Sequence, residues 1–234
     1  MKYANCHAGV FVRRLNRFVA EVEIDGTLRR AHMNNTGRCA ELLIPGNRVY
    51  LEKRERAGRS TAYDLITVER RDARGLKLVN MDSLAPNRAA GEWLRAGGLG
   101  PLEELRAEAT VGDSRFDFCA VQGGRRVAVE VKGCTLEADG AARFPDAPTL
   151  RGLKHVRGLT ALAGEGWRCV VLIVIQMKGV SCFQPNWATQ PAFGTALIEA
   201  RAAGVEILAV DCEVSPGSVR IDRPVPMDLA PPEK

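Results

Sequence analysis

Before Ser83, apolar and polar residues alternate in short runs broken by turn residues, the pattern of strands with one buried face. Arg17 to Ile24 alternates into Asp25-Gly26, and Thr27 to Met33 returns as its partner, so this stretch predicts a hairpin. Arg48 to Arg54, Tyr63 to Arg70 and Lys77 to Asn80 predict further strands, with turns at Pro45-Gly46 and Ala57-Gly58. Five short strands in this span fit a small OB-like barrel better than an open sheet, which would expose edges. Phe11 and Phe18 are expected in its core, because a small barrel needs large apolar fillers.

From Ser83 the pattern changes. Arg88 to Ala96, and the Leu102 and Leu105 spacing after Pro101, predict helical segments leading into a second module. Strands follow from Ala109 or Asp113 to Val121 and from Arg125 to Lys132, joined by a turn at Gly123-Gly124. Thr149 to Ala163 places Leu150, Leu153, Val156, Leu159 and Leu162 near one helical stripe, with Thr149 as N-cap. Cys169 to Ile175 is continuous and β-branched, as a strand buried on both faces requires. A helix over Ala192 to Ala203 and a strand over Val205 to Val210 complete an α/β (α+β mixed) sheet of mixed strand direction. The expected organisation is a barrel over residues 1–83 and an α/β domain over 84–234, with a fraying, proline-rich tail from Pro224.

With 234 residues and 46% hydrophobic content the chain can bury a substantial core. The strongest apolar run, Cys169 to Ile175, is far short of the roughly 20 residues that span a bilayer. Arginines interrupt the first residues where a signal peptide needs an apolar segment, so a cytoplasmic protein is expected. Seven scattered cysteines, never spaced Cys-x-x-Cys, support neither a disulfide framework nor a zinc site.

Charge is uneven. Through Ser83 there are 16 Lys and Arg against 10 Asp and Glu, an excess that slightly outweighs the +5 of the whole chain. A basic module joined to a nearly neutral one suits a polyanionic partner, although a solvated arginine-rich surface gives the same count. Arg13, Arg14 and Arg17, interleaved with Phe11 and Phe18, are the nucleic-acid contact candidates, with Arg38 in the following loop.

Candidate chemistry concentrates between Ser114 and His155. Asp117 lies upstream of Glu130-Val131-Lys132, and strand alternation sends Glu130 and Lys132 to one face and Val127, Val129 and Val131 to the other. Asp117, between two phenylalanines, is expected off their apolar face. Two acids and a lysine beside a hairpin are what a hard divalent cation and a polarised water require, while surface charges on a solvated sheet face are the plainer explanation. Asp146 and Thr149 mark a helix entrance. Arg151, Lys154 and His155 follow at spacings that put them near one face, where a phosphate would relieve their opposition to the helix dipole.

The runs SRFDF, VEVKG, FPDAPTLRGLKH, HMNNTGR and LLIPGNRVYL resemble the sugar fermentation stimulation protein A (SfsA) family over Val10 to about Pro226. The resemblance implies an OB-like domain followed by a PD-(D/E)XK nuclease-like domain, and it implies DNA binding. It puts the acidic metal ligands on Asp117 and Glu130, with the Val131 carbonyl beside them, and the catalytic lysine on Lys132. Glu108 resembles the additional acid of many such nucleases. Gly133-Cys134 and Asn34 depart from the family's usual residues without touching this set.

The expected function is therefore a DNA-binding phosphodiesterase using Mg²⁺ or Mn²⁺, with Arg151 and Lys154 on phosphate oxygens. A non-cleaving DNA-binding protein, including a regulator of sugar metabolism genes, and a small-molecule phosphate enzyme are the alternatives. No helix-turn-helix signature predicts base reading, so backbone-directed binding is expected.

Overall fold

The amino-terminal strands close on themselves. In the computed structural model, which describes residues 1–35, 37–54, 60–72 and 74–232, six strands form one sheet. They are β1 (Cys6–Arg14), β2 (Val19–Ile24), β3 (Thr27–His32), β4 (Arg48–Lys53), β5 (Tyr63–Asp72) and β6 (Gly75–Asn80), in the order β3-β2-β1-β4-β5-β6. A parallel pairing of Ala31 with Tyr63 and His32 with Asp64 links β3 to β5 and closes the barrel. Asp25 and Gly26 both take positive φ at the β2–β3 turn, the geometry an Asp-Gly hairpin favours.

The expectation of five strands missed β1, whose alternation is blurred by a register shift between Phe11 and Arg13. Phe11 fills the barrel core with Val22, Val49, Leu51 and Leu65. Phe18 does not: it is 47% exposed, because it ends the β1–β2 turn rather than entering a strand. The turn expected at Ala57-Gly58 lies outside the described residues.

The second sheet has the order β15-β14-β12-β9-β8-β7. Its strands are β7 (Glu103–Val111), β8 (Ser114–Gln122), β9 (Arg125–Cys134), β12 (Arg168–Ile175), β14 (Glu206–Ser215) and β15 (Ser218–Pro224). β9, β12 and β14 run parallel and the outer pairs antiparallel, so direction is mixed. β12 is almost wholly buried, as its unbroken apolar sequence requires. The Leu102 and Leu105 pattern, expected to be helical, is strand β7 and its approach, since pairing with β8 outweighs a weak local periodicity. Short strands β10 (Glu137–Ala138), β11 (Ala141–Phe144) and β13 (Cys182–Pro185) form a further small sheet.

Three helices among the described residues cover this sheet. α1 (Ala85–Arg95) packs Ala89, Ala90 and Leu94 against the face bearing Val127, Val129 and Val131. α2 (Leu150–Gly164) packs Val156, Leu159 and Leu162, with α3 (Pro191–Ala202), on the other face. Thr149 caps α2, its hydroxyl accepting the Gly152 N–H at 2.9 Å. Leu150, the first residue of the expected stripe, instead stands in solvent. No helix among the described residues is long and apolar enough to cross a membrane.

Barrel and sheet are tied by buried polar contacts. Glu137 of β10 is buried and receives Arg70 at 3.0 Å, Arg74 at 3.2 Å and Lys77 at 3.3 Å from the barrel. Gln176 Nε2 donates to the Asn80 carbonyl and to Asn80 Oδ1, both at 2.9 Å. These bonds leave the amide and carboxylate satisfied inside the junction, where an unpaired polar group would cost about 1–3 kcal/mol.

Candidate active site and nucleic-acid interface

The site forms where β8 and β9 part. Their paired residues run from Gln122 with Arg125 to Phe118 with Val129 and stop there, just before Asp117 and Glu130 would face each other. The turn at their other end is Gly123-Gly124, where both residues take positive φ. Val131 keeps its ladder with β12 through Leu172, but its N–H is left to β8. Asp117 supplies the acceptor: Oδ2 takes the Val131 N–H at 2.7 Å, and Oδ1 takes Asn87 Nδ2 from α1 at 2.6 Å. A side chain has replaced a backbone partner, which satisfies a buried N–H while holding the carboxylate in place.

The two phenylalanines around Asp117 do not share a face, contrary to simple alternation. Phe116 packs on the α2 side, 6.2 Å from the His155 ring, whereas Phe118 joins the α1 cluster. The strand therefore turns at Asp117, and this is why its carboxylate can reach across to β9.

Glu130 is only 2% exposed. Its Oε1 binds both Lys132 Nζ and His155 Nδ1, while Oε2 is buried without a hydrogen-bond partner. A buried carboxylate oxygen facing no donor costs free energy unless a cation or water meets it. Burial, followed by the nearby Glu130 charge, raises the Asp117 carboxyl pKa above the usual range. The Val131 N–H, Lys132 and Asn87 oppose that shift without reversing it. Asp117 is thus approached from the α1 side and Glu130 from the α2 side, with Val131 between them.

Other expected site residues are placed differently. Glu108 sits opposite Asp117 on β7 with positive φ, and both line a cavity of about 520 Å³ with Asn87, Gly91 and Arg95. Its exposed carboxylate is nevertheless taken by Arg115. His155 leaves the expected cationic cluster: it turns inward to Glu130, while Arg151 and Lys154 are exposed. Consecutive residues on a helix stand about 100° apart, so Lys154 and His155 face different directions although each lies near Arg151. Lys154 Nζ meets the Asp113 carbonyl at 3.2 Å in the β7–β8 turn.

On the barrel, Arg14 is occupied by backbone. Its guanidinium donates to the carbonyls of Asn16 (3.1 Å), Arg17 (2.8 Å), Gly37 (2.8 Å) and Arg38 (2.7 Å), which fastens the β1–β2 turn to the following loop. Arg13 is exposed but paired with Glu21 at 2.6 Å. Arg17 and Arg38 are exposed, and the Arg17 guanidinium lies 5.7 Å from the Phe18 ring centroid. Asn34 is tied to the end of the barrel segment, and Gly37 reaches the second domain. Asn34 Nδ2 donates to Asp82 at 3.3 Å, and a Cβ at Gly37 would fall 2.3 Å from Asp146 Oδ2.

Sequence reading missed Asn87 as the partner of Asp117 and His155 as the partner of Glu130. Neither has a spacing signature, because each bond crosses between elements far apart in the chain. Among the described residues no three His, Cys, Asp or Glu cluster closely enough to hold a metal by themselves. Two carboxylates with a backbone carbonyl and water remain sufficient for Mg²⁺, which keeps several waters. The unpartnered Glu130 oxygen fits such an ion.

Comparison with known proteins agrees with this architecture. The family model described as the SfsA N-terminal OB domain matches residues 12–79, and that described as the sugar fermentation stimulation protein RE domain matches 84–218. A sugar fermentation stimulation protein homolog from Desulfitobacterium hafniense is 49% identical over 219 residues, covering 94% of each chain. One from Ruminiclostridium cellulolyticum is 44% identical, covering 98% of this chain and all of its own. The solved structure of Pyrococcus furiosus SfsA in complex with Ca²⁺ superposes with a TM-score of 0.82 at 30% identity, covering 97% of this chain and 98% of that one. With both halves matched in order and relatives this similar along nearly the full length, the chain belongs to the sugar fermentation stimulation protein (SfsA) family.

Proposed function

We propose that this protein is a DNA-binding phosphodiesterase of the PD-(D/E)XK type that depends on Mg²⁺ or Mn²⁺. The observation that carries the reading is the placing of Asp117, Glu130 and Lys132 around Val131 where β8 and β9 part, with one Glu130 oxygen buried and unpartnered. Ca²⁺ in the Pyrococcus furiosus SfsA structure supports a hard divalent cation in this family, held by oxygen ligands.

Asp117, Glu130 and the Val131 carbonyl would hold the cation. When bound, it would polarise the phosphodiester and lower the pKa of a water. Asp117 is oriented for this by the Val131 N–H and Asn87, so little reorganisation is required. Lys132, now on Glu130, would orient or deprotonate the attacking water. Arg151 and Lys154, exposed at the start of α2, would hold phosphate oxygens, and Arg17 and Arg38 would extend the cationic track onto the barrel.

A second reading is a non-cleaving DNA-binding protein, including a regulator. The pairing of Glu130 with both Lys132 and His155 favours it, since that carboxylate already has two side-chain partners within the chain itself. Labelled single- and double-stranded DNA incubated with Mg²⁺, Mn²⁺ or chelator decides between them. Metal-dependent cleavage lost in Lys132→Ala supports the phosphodiesterase. Binding without cleavage under every condition supports the second reading.

A further inference from the structure

Phe18 is a large aromatic that the small barrel leaves in solvent. It lies on His32 with ring centroids 6.3 Å apart and planes 11° from parallel, and Arg17 flanks it. From this we infer that Phe18 and His32 form a stacking platform for an unpaired base of single-stranded DNA. The inference rests on the DNA-binding reading above and assigns that binding a strand preference.

Three observations carry it. First, the platform is held in place before any ligand arrives. The Phe18 carbonyl accepts the Met33 N–H at 2.8 Å, the Phe18 N–H donates to Asn16 Oδ1 at 2.8 Å, and Arg14 clamps the same turn through the Asn16 and Arg17 carbonyls. A rigid aromatic loses little entropy on binding. Second, the surroundings are cationic. Arg17, Arg30 and Arg38 are exposed without an ion-pair partner among the described residues, while on the same hairpin Glu21 is engaged by Arg13 and the exposed Glu23 and Asp25 lie toward the end away from His32. Such a surface follows a phosphate backbone.

Third, the geometry selects the strand. In a duplex each base face is covered by its neighbours, so Phe18 has nothing to stack on and only the arginines make contact. An unpaired base offers a free π-face, and stacking on an aromatic side chain is indifferent to base identity. The platform also communicates physically with the second domain, because Arg14 joins its turn to Gly37, which abuts Asp146 at the entrance to α2.

The test measures fluorescence anisotropy with a labelled oligothymidylate and a duplex of equal length, in chelator so that nothing is cleaved. Phe18→Ala is expected to weaken single-strand binding roughly 5- to 100-fold and to leave duplex binding within about twofold, with Phe18→Tyr close to the parent. Phe18→Trp adds a reporter whose emission the oligothymidylate should quench. Single-strand binding of Phe18→Ala within about twofold of the parent, or equal losses on both ligands, overturns the platform while leaving DNA binding intact. Failure of the parent to bind either ligand overturns DNA binding and the platform together.

Discussion

Asp117 Oδ2 accepts the Val131 N–H at 2.7 Å, closing with a side chain a hydrogen bond that β8 no longer provides. The donors at Asp117 favour its ionised form, yet burial and the Glu130 charge outweigh them. The site thus stores unfavourable charge that a divalent cation would relieve.

This has a pH signature. Because the folded carboxyl titrates above its unfolded value of 3.8, the folded state binds the proton more tightly, and stability falls as pH rises from that value through the folded pKa. Above that window Asp117 contributes less to stability than it does below it. Asp117→Asn should raise Tm at pH 7 by on the order of a few °C and gain nothing at low pH, where the parent is protonated. Thermal unfolding across pH checks this, and a lower Tm at pH 7 would contradict it.

Metal addition should act through the same group. Mg²⁺, Mn²⁺ or Ca²⁺ at about 100 times its dissociation constant should stabilise the parent by roughly 2.7 kcal/mol. Both Asp117→Asn and Glu130→Gln should lose that increment in a thermal-shift titration. An undiminished increment in either variant would place the metal elsewhere.

Lys132 separates chemistry from binding. Lys132→Ala should reduce metal-dependent cleavage by about 10²-fold or more while changing DNA affinity little, since one lysine among many cations contributes modestly to phosphate binding. Single-turnover cleavage with excess protein, alongside an anisotropy titration, measures both. Cleavage at the parent rate would remove Lys132 from the reaction.

The barrel arginines should divide by what they already hold. Arg17→Ala and Arg38→Ala should each weaken DNA binding across sequences and reduce the salt slope by about one. Arg14→Ala should instead lower Tm, because the backbone carbonyls it holds lose their donor. Arg13→Ala should do less to the slope than Arg17→Ala, as Glu21 already neutralises it.

Glu137 anchors the junction. Glu137→Gln would leave Arg70, Arg74 and Lys77 around a neutral amide, and should cost about 3 kcal/mol of unfolding free energy in denaturant titrations.

The elements with strong periodicity were legible in the chain. Asp25-Gly26 marks a hairpin because few residues tolerate positive φ, Thr149 marks a helix start because its hydroxyl replaces a missing acceptor, and Cys169 to Ile175 reads as a buried strand because polar faces are absent. Local sequence also put Glu130 and Lys132 on one side of β9 and the three valines on the other.

What it could not carry were relations made across the fold. Alternation sent Phe116 and Phe118 to one face, but β8 turns where its ladder with β9 ends. Spacing grouped His155 with Arg151 and Lys154, but a buried Glu130 on another element drew it inward. Barrel composition buried Phe18, but closure of the barrel around Phe11 left it outside. Side-chain direction along one element follows from backbone period; which side chain meets which, from elements far apart in the chain, is decided only when the sheets and helices pack.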